Sequence, residues 1–175
     1  MRTLLLILLL IPFINVGQIK SKSDRSLLPV SSYVKPVDNL TLEAAFELTK
    51  RVNESAATFG KQVSIAILDA SGTIILLVRG NDVGPHNTEA ARRKAYTSLS
   101  TKTATLELLR NAEMNSDSKN LNSLPELLLL SGGSPIWYKG SVIGSIGVAA
   151  GGSAENDDFI AKSAQILELG ITTIQ

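Results

Sequence analysis

The hydrophobic positions of this chain change period several times, and each change marks an element. Leu42, Ala45, Phe46, Leu48 and Val52 recur at three- and four-residue steps, Thr41 stands where a cap is wanted, and Gly60 stops the run, which predicts a one-sided helix over 41–60. Val63 to Leu68 is apolar and β-branched, Asp69-Ala70-Ser71-Gly72 interrupts it, and Thr73 to Val78 resumes the same character, the pattern of an antiparallel hairpin. The loop from Arg79 to Pro85 then delivers the chain to a helix opening at His86, on which Ala91, Ala95, Ser98 and Leu99 form a stripe of mostly small side chains. Thr103 to Arg110 predicts a second short helix, and Asn111 to Leu124 a polar loop.

Leu127 to Leu130 predicts another strand, Ser131-Gly132-Gly133-Ser134-Pro135 breaks it, Ile136 to Tyr138 resumes it, and Lys139-Gly140 turns the chain into a last strand from Ser141 to Ala150. Strict alternation there assigns Val142, Gly144, Ile146, Val148 and Ala150 to one face and Ile143, Ser145, Gly147 and Ala149 to the other. A final helix is predicted from about Glu155 to Leu169, with Glu155, Asp157 and Asp158 crowding its first turn. This succession describes an α+β domain in which an antiparallel sheet of about five strands is covered by helices.

The first residues stand apart from that pattern. Met1-Arg2-Thr3 followed by the leucine- and isoleucine-rich run Leu4 to Ile14 reads as a secretory signal peptide over residues 1–17, because the run is too short for a bilayer that needs about twenty apolar residues. Residues 18–39, interrupted by Pro29 and Pro36, read as a linker or arm, and 40–175 as the domain. Loss of the leader removes one base, Arg2, so that sixteen Lys and Arg face sixteen Asp and Glu. A balanced charge gives no reason to expect nucleic acid. With no cysteine, disulfides, a lipid-modified cysteine and haem attached through Cys-x-x-Cys-His are all excluded. An exported chain of this kind is expected to be periplasmic or secreted, with no stable membrane span after cleavage.

The only histidine, His86, opens the segment Gly84-Pro85-His86-Asn87-Thr88-Glu89-Ala90-Ala91-Arg92-Arg93-Lys94-Ala95-Tyr96. The partial positive charge and free N–H groups of a helix N-terminus suit an uncharged, metal-ligating imidazole, and Arg92, Arg93 and Lys94 offer themselves to an anion. Thr88, Arg92 and Tyr96 lie one helical turn apart, presenting a hydroxyl, a guanidinium and a phenol in order. A serine hydrolase lacks its elbow, no phosphate loop is present, and the glycines from Gly144 to Gly152 do not have dinucleotide-binding spacing. Those glycines suit close backbone approach to a helix or to a planar ligand. Asp69, Asp82, Asp157 and Asp158 are the carboxylates that could converge on a divalent cation.

Taken in order, Val63 to Gly72, Lys94-Ala95-Tyr96-Thr97, Gly132-Gly133-Ser134-Pro135-Ile136, and Gly140 to Val148 followed by Gly151-Gly152 and Asp157-Asp158 resemble the GlcG/HbpS family of small haem-binding proteins, related to the C-terminal domain of PduO-type proteins. The resemblance covers about Leu40 to Gly170. It implies a profilin-like fold, assembly into homo-oligomers, haem or another small planar ligand as cofactor, and an exported location for some members. Within such a haem site, the chemistry of the helix start, and not the resemblance, makes His86 the expected metal ligand, with Tyr96 and Thr88 as alternative iron ligands, Arg92, Arg93 or Lys94 meeting the propionates, and Gly132 and Gly133 completing the site. The expected function is haem uptake, storage or sensing without assigned catalysis; the alternative is an enzyme or binding domain acting on an organic acid or a haem-derived substrate.

Overall fold

The computed structural model describes residues 29–174. The leader expected over residues 1–17 and the arm up to residue 28 lie outside the described residues. Residues 29–35 hold one 3-10 turn at Val30–Ser32, and the main body begins at Pro36. Among the described residues no helix is long and apolar enough to cross a membrane.

In the main body, α1 (Leu42–Thr58) begins where the Thr41 hydroxyl accepts a hydrogen bond from the Ala44 N–H at 3.2 Å, and its Leu48, Val52 and Ala56 are buried. Strands β1 (Ser64–Asp69) and β2 (Ile74–Arg79) form the expected hairpin. Next come α2 (Pro85–Thr101), α3 (Thr105–Met114) and α4 (Ser116–Asn120), then β3 (Gly133–Tyr138), β4 (Ser141–Ala149), α5 (Ala154–Lys162) and the two-residue β5 (Ile171–Thr172). The sheet is antiparallel throughout, in the order β2-β1-β4-β3-β5. The α+β class and the five strands agree with the sequence pattern.

Its two faces are unequally filled. One carries the large side chains: Ile65, Ile67, Ile136, Ile146 and Val148 pack with Leu48 and Val52 of α1 and Ile160 of α5. Each such side chain contributes roughly 1.5–3 kcal/mol when fully buried. The other face is made of Ala66, Leu68 and Ala149 against Ala91 and Ala95 of α2. With so little bulk between them, α2 lies almost on the sheet. A Cβ at Gly147 would collide with the Ala91 carbonyl, and one at Gly133 with the carbonyl of Lys94.

Several boundaries differ from the sequence expectation. Leu127 to Leu130 joins no strand: it crosses over α2, where Leu128 N–H donates to the Thr97 hydroxyl at 2.8 Å, Leu129 N–H donates to Asn122 Oδ1 at 3.3 Å, and Leu127 O accepts from Arg93. Side chains satisfy this backbone, so the fifth strand is instead β5, paired with β3 through Trp137 and Tyr138. The presumed loop over 111–124 is mostly helical: α3 runs to Met114, and Asn115 caps α4 by accepting from the Asp117 N–H. The last helix stops at Lys162 instead of Leu169; Leu167–Leu169 is a 3-10 turn closed by Gly170 at φ +74°. In β4 the alternation breaks where Ile136 pairs with Gly144 but Trp137 with Val142. The extra residue is Ile143, which therefore joins the α1 side of the sheet along with Gly144, whose missing Cβ leaves room for Leu40.

The β1–β2 turn is organised by Asp69, whose carboxylate accepts from Ser71 N–H (2.8 Å), Ser71 Oγ (2.6 Å) and Thr73 N–H (2.9 Å). Burial alone would raise this carboxyl, but the bonds from Ser71 and Thr73 outweigh it and hold the group below the usual carboxylate range.

Two outcomes follow. Gly147→Ala should lower unfolding free energy by about 3 kcal/mol in a urea titration, at the upper end of overpacking costs, because backbone faces backbone and neither can move aside. For Asp69, a depressed folded pKa means that its stabilisation is present above the unfolded value of about 3.9 and is lost as pH falls through the folded value. Asp69→Asn should therefore be less stable at neutral pH and lose less stability than wild type between pH 5 and about pH 2, read by urea midpoints across that range.

Candidate functional site

The residues singled out around the histidine lie on α2, and the helix distributes them over different surroundings. Its start is set by the loop after β2: Val83 is buried and anchors the loop, Gly84 takes the cap position with no side-chain cap, and Pro85 supplies a first helical residue that needs no hydrogen-bond partner. His86 is exposed on this end. Its ring lies against Gly84, where an added Cβ would stand 2.8 Å from Cε1 and 3.0 Å from Nδ1. The glycine is thus the space the imidazole occupies, and Nε2 is the nitrogen turned away from it. Thr88, one turn in, exchanges a hydrogen bond with Ser64 of β1 at 3.1 Å.

Farther along, the basic residues already have partners. Arg92 donates to Glu89 at 2.7 and 3.0 Å and to Glu126 at 3.0 Å. The hydrogen bonds that Arg92 donates to Glu89, and secondarily to Glu126, raise the guanidinium pKa against the opposing effect of burial, and the same bond lowers the Glu89 carboxyl. Arg93 shares the outer face with His86, two turns on, but its Nη2 donates to the Leu127 carbonyl at 2.7 Å. Tyr96 packs against the hairpin turn at Gly72.

Lys94 is buried, with its ammonium donating to the Val148 carbonyl at 2.9 Å and to Asp157 Oδ2 at 2.8 Å. Asp157 Oδ1 in turn accepts from the Gly151 N–H at 2.7 Å. Gly132 and Gly133 close this junction, packed on the Lys94 ammonium and main chain respectively. Of the expected haem-site residues, Lys94, Gly132 and Gly133 therefore form one interior unit, Thr88 is tied to β1, Arg92, Arg93 and Tyr96 meet neighbouring side chains or segments, and His86 is exposed with no side-chain hydrogen-bond partner among the described residues.

The four aspartates stay apart. Asp69 serves its turn, Asp82 is exposed, Asp157 holds Lys94, and Asp158 pairs with Lys162 at 2.7 Å. Among the described residues no three His, Cys, Asp or Glu side chains gather as metal ligands. A metal already held by a macrocycle needs only one ligand from the chain, and a lone exposed imidazole suits that case.

Comparison with known proteins places the fold among known relatives. A family model described as "Haem degrading protein HbpS-like" matches residues 40–165. The corrinoid adenosyltransferase PduO of Citrobacter freundii is 30% identical over 163 residues, 92% of this chain and 48% of that protein, and its counterpart from Salmonella typhimurium is 33% identical over 138 residues, 78% and 40%. The chain thus spans about half or less of the length of these curated relatives. Among solved structures, HbpS is 32% identical with a TM-score of 0.71, covering 79% of this chain and 96% of that one. A double mutant of Streptomyces reticuli HbpS gives 31% and 0.70, covering 79% and 92%. PduOC in complex with haem is 30% identical with a TM-score of 0.67, covering 78% and 99%.

The interior unit makes a separable prediction. Lys94→Met leaves Asp157 charged in a buried place and should cost about 3–5 kcal/mol, whereas Lys94→Met combined with Asp157→Leu should recover a large part of that loss in the same denaturation measurement.

Proposed function

We propose that this chain, which belongs to the HbpS-like family, binds haem through His86 on the exposed start of α2. The observation that carries the reading is the exposed imidazole seated against Gly84 through Cε1 and Nδ1, with no hydrogen-bond partner among the described residues. Support for haem as the ligand comes from the PduOC–haem complex, which matches 78% of this chain. Bound there, haem would supply a redox-active iron, and His86 would be the residue that ligates it.

One exposed imidazole does not by itself enclose a macrocycle, so a second copy of the chain would complete the site. The sheet edge supports self-association: β2 is an outer strand, unpaired on one side, and exposes Ile74 and Leu77. The propionates are assigned to basic residues of the assembled form, since Arg92 and Arg93 already have partners within one chain. Read with the leader-like residues 1–17, this is an exported haem-binding protein serving uptake, storage or sensing, periplasmic or secreted. The family description supports a second reading, haem degradation, for which the sign is a tetrapyrrole product formed from haemin plus a reductant.

Titration of the protein with haemin should develop a Soret band in wild type. His86→Ala should weaken binding by about tenfold or more and change the band position, while Gly84→Val, which pushes on the ring without removing it, should have an intermediate effect. Equal affinity and an identical spectrum in His86→Ala would remove His86 from the site.

A further inference from the structure

At the opposite end of α2 from His86, about 24 Å along the axis at 1.5 Å per residue, the chain lines a cavity of about 540 Å³. That size is ordinary for a small-molecule site. Four separate pieces of chain build its wall. Lys102 and Thr103 follow the end of α2, and Glu107 comes from the first turn of α3. Trp137 comes from β3, and Lys162 and Thr173 come from the end of α5 and the segment after β5. His86 is not part of it, so the cavity is a different place from the haem site proposed above.

Two of its polar groups, Lys162 and Thr173, are held from behind, and a third, Lys102, stands at a fixed turn of the backbone. Lys102 sits in the left-handed conformation, φ +53°, that turns the chain from α2 towards α3, and it has no ion-pair partner among the described residues. Lys162 is fixed from the interior: Asp158, 7% exposed, accepts from its ammonium at 2.7 Å, leaving the other two N–H donors free. The second oxygen of Asp158 is buried and meets no donor. Thr173, also buried, donates to the Lys162 carbonyl at 2.8 Å and accepts from Gln165 at 3.0 Å, so its hydroxyl is oriented. The indole of Trp137, 8% exposed, provides an apolar wall.

The geometry points to a second ligand site in this cavity, for a small organic acid that carries a hydroxyl or amino donor on an apolar body. Two ammonium groups match a carboxylate, Glu107 accepts from the donor, and the indole covers the apolar part. A simple inorganic anion would leave Glu107 facing like charge, and a neutral alcohol would leave both lysines without an acceptor; either mismatch lowers affinity. Asp158 acts as a positioning residue, holding Lys162 at the wall without touching the ligand.

Trp137 is the only tryptophan of the chain, so its fluorescence reports on this cavity alone. Mandelate, which has the carboxylate, the hydroxyl and an apolar ring, should shift Trp137 emission saturably with a Kd of about 1 mM or tighter, with matching heat in calorimetry. Benzyl alcohol, lacking the carboxylate, and inorganic phosphate, lacking the apolar body, should each bind at least about tenfold more weakly. Lys102→Gln keeps the fold-neutral part of the side chain and should weaken mandelate by a factor of about five to ten; Lys162→Gln should do at least as much, with its fold checked by thermal melting. No saturable signal with mandelate, equal binding of benzyl alcohol, or unaltered mandelate affinity in a folded Lys102→Gln protein would each overturn the inference.

Discussion

The buried ion pair between Lys94 and Asp157 is the contact on which the arrangement of the molecule depends. Through it α2 reaches α5, and the same two side chains hold the Val148 carbonyl of β4 and the Gly151 N–H just after that strand. A charge this deep is tolerated only when its remaining valences are also satisfied, and here the ammonium has two acceptors and the carboxylate two donors. The surroundings are correspondingly tight: Gly132 and Gly133 lie against Lys94, and Gly147 against the backbone of α2. The pair thus fixes where α2 sits, and the missing side chains fix how close.

That placement has consequences for both ends of the helix. With α2 clamped in its middle, its first turn presents His86 to solvent, while the residues just past its end, Lys102 and Thr103, line a cavity walled by β3 and α5. One element therefore bears on both proposed sites, the imidazole of His86 at its start and the ammonium and hydroxyl groups of Lys102 and Thr103 just past its end. Both require little motion, since the helix that positions them is held by interior bonds.

Much of this was legible in the residue pattern. α1 and its Thr41 cap, the β1–β2 hairpin and its Asp69 turn, the start of α2 at Pro85 and the extent of β4 all follow from local rules: a cap, a period, a turn residue. The elements that departed from expectation are those whose hydrogen bonds go to distant side chains. Leu127 to Leu130 is as apolar as any strand here, yet Thr97, Arg93 and Asn122 take its backbone groups, and no periodicity within four leucines could announce those partners. The short α4 is polar all round, so the hydrophobic pattern carried no trace of it; the signal that was present is Asn115, a cap residue ahead of Ser116. The early end of α5 likewise depends on Thr173, whose hydroxyl takes the Lys162 carbonyl that a continuing helix would use.

By itself the sequence determined the class of fold, the first helix, the hairpin and the helix that follows it, the absence of cysteine chemistry and the single place where an imidazole could stand, because these depend on residue type and near-neighbour spacing. Only the tertiary structure decided which basic residues were free: Arg92, Arg93 and Lys94 are consecutive, yet a helix turns each by about 100°, so one meets two carboxylates, one a passing carbonyl and one the interior. The same long-range packing brought together Lys102, Trp137 and Lys162, far apart along the chain, around a cavity that no local pattern encodes.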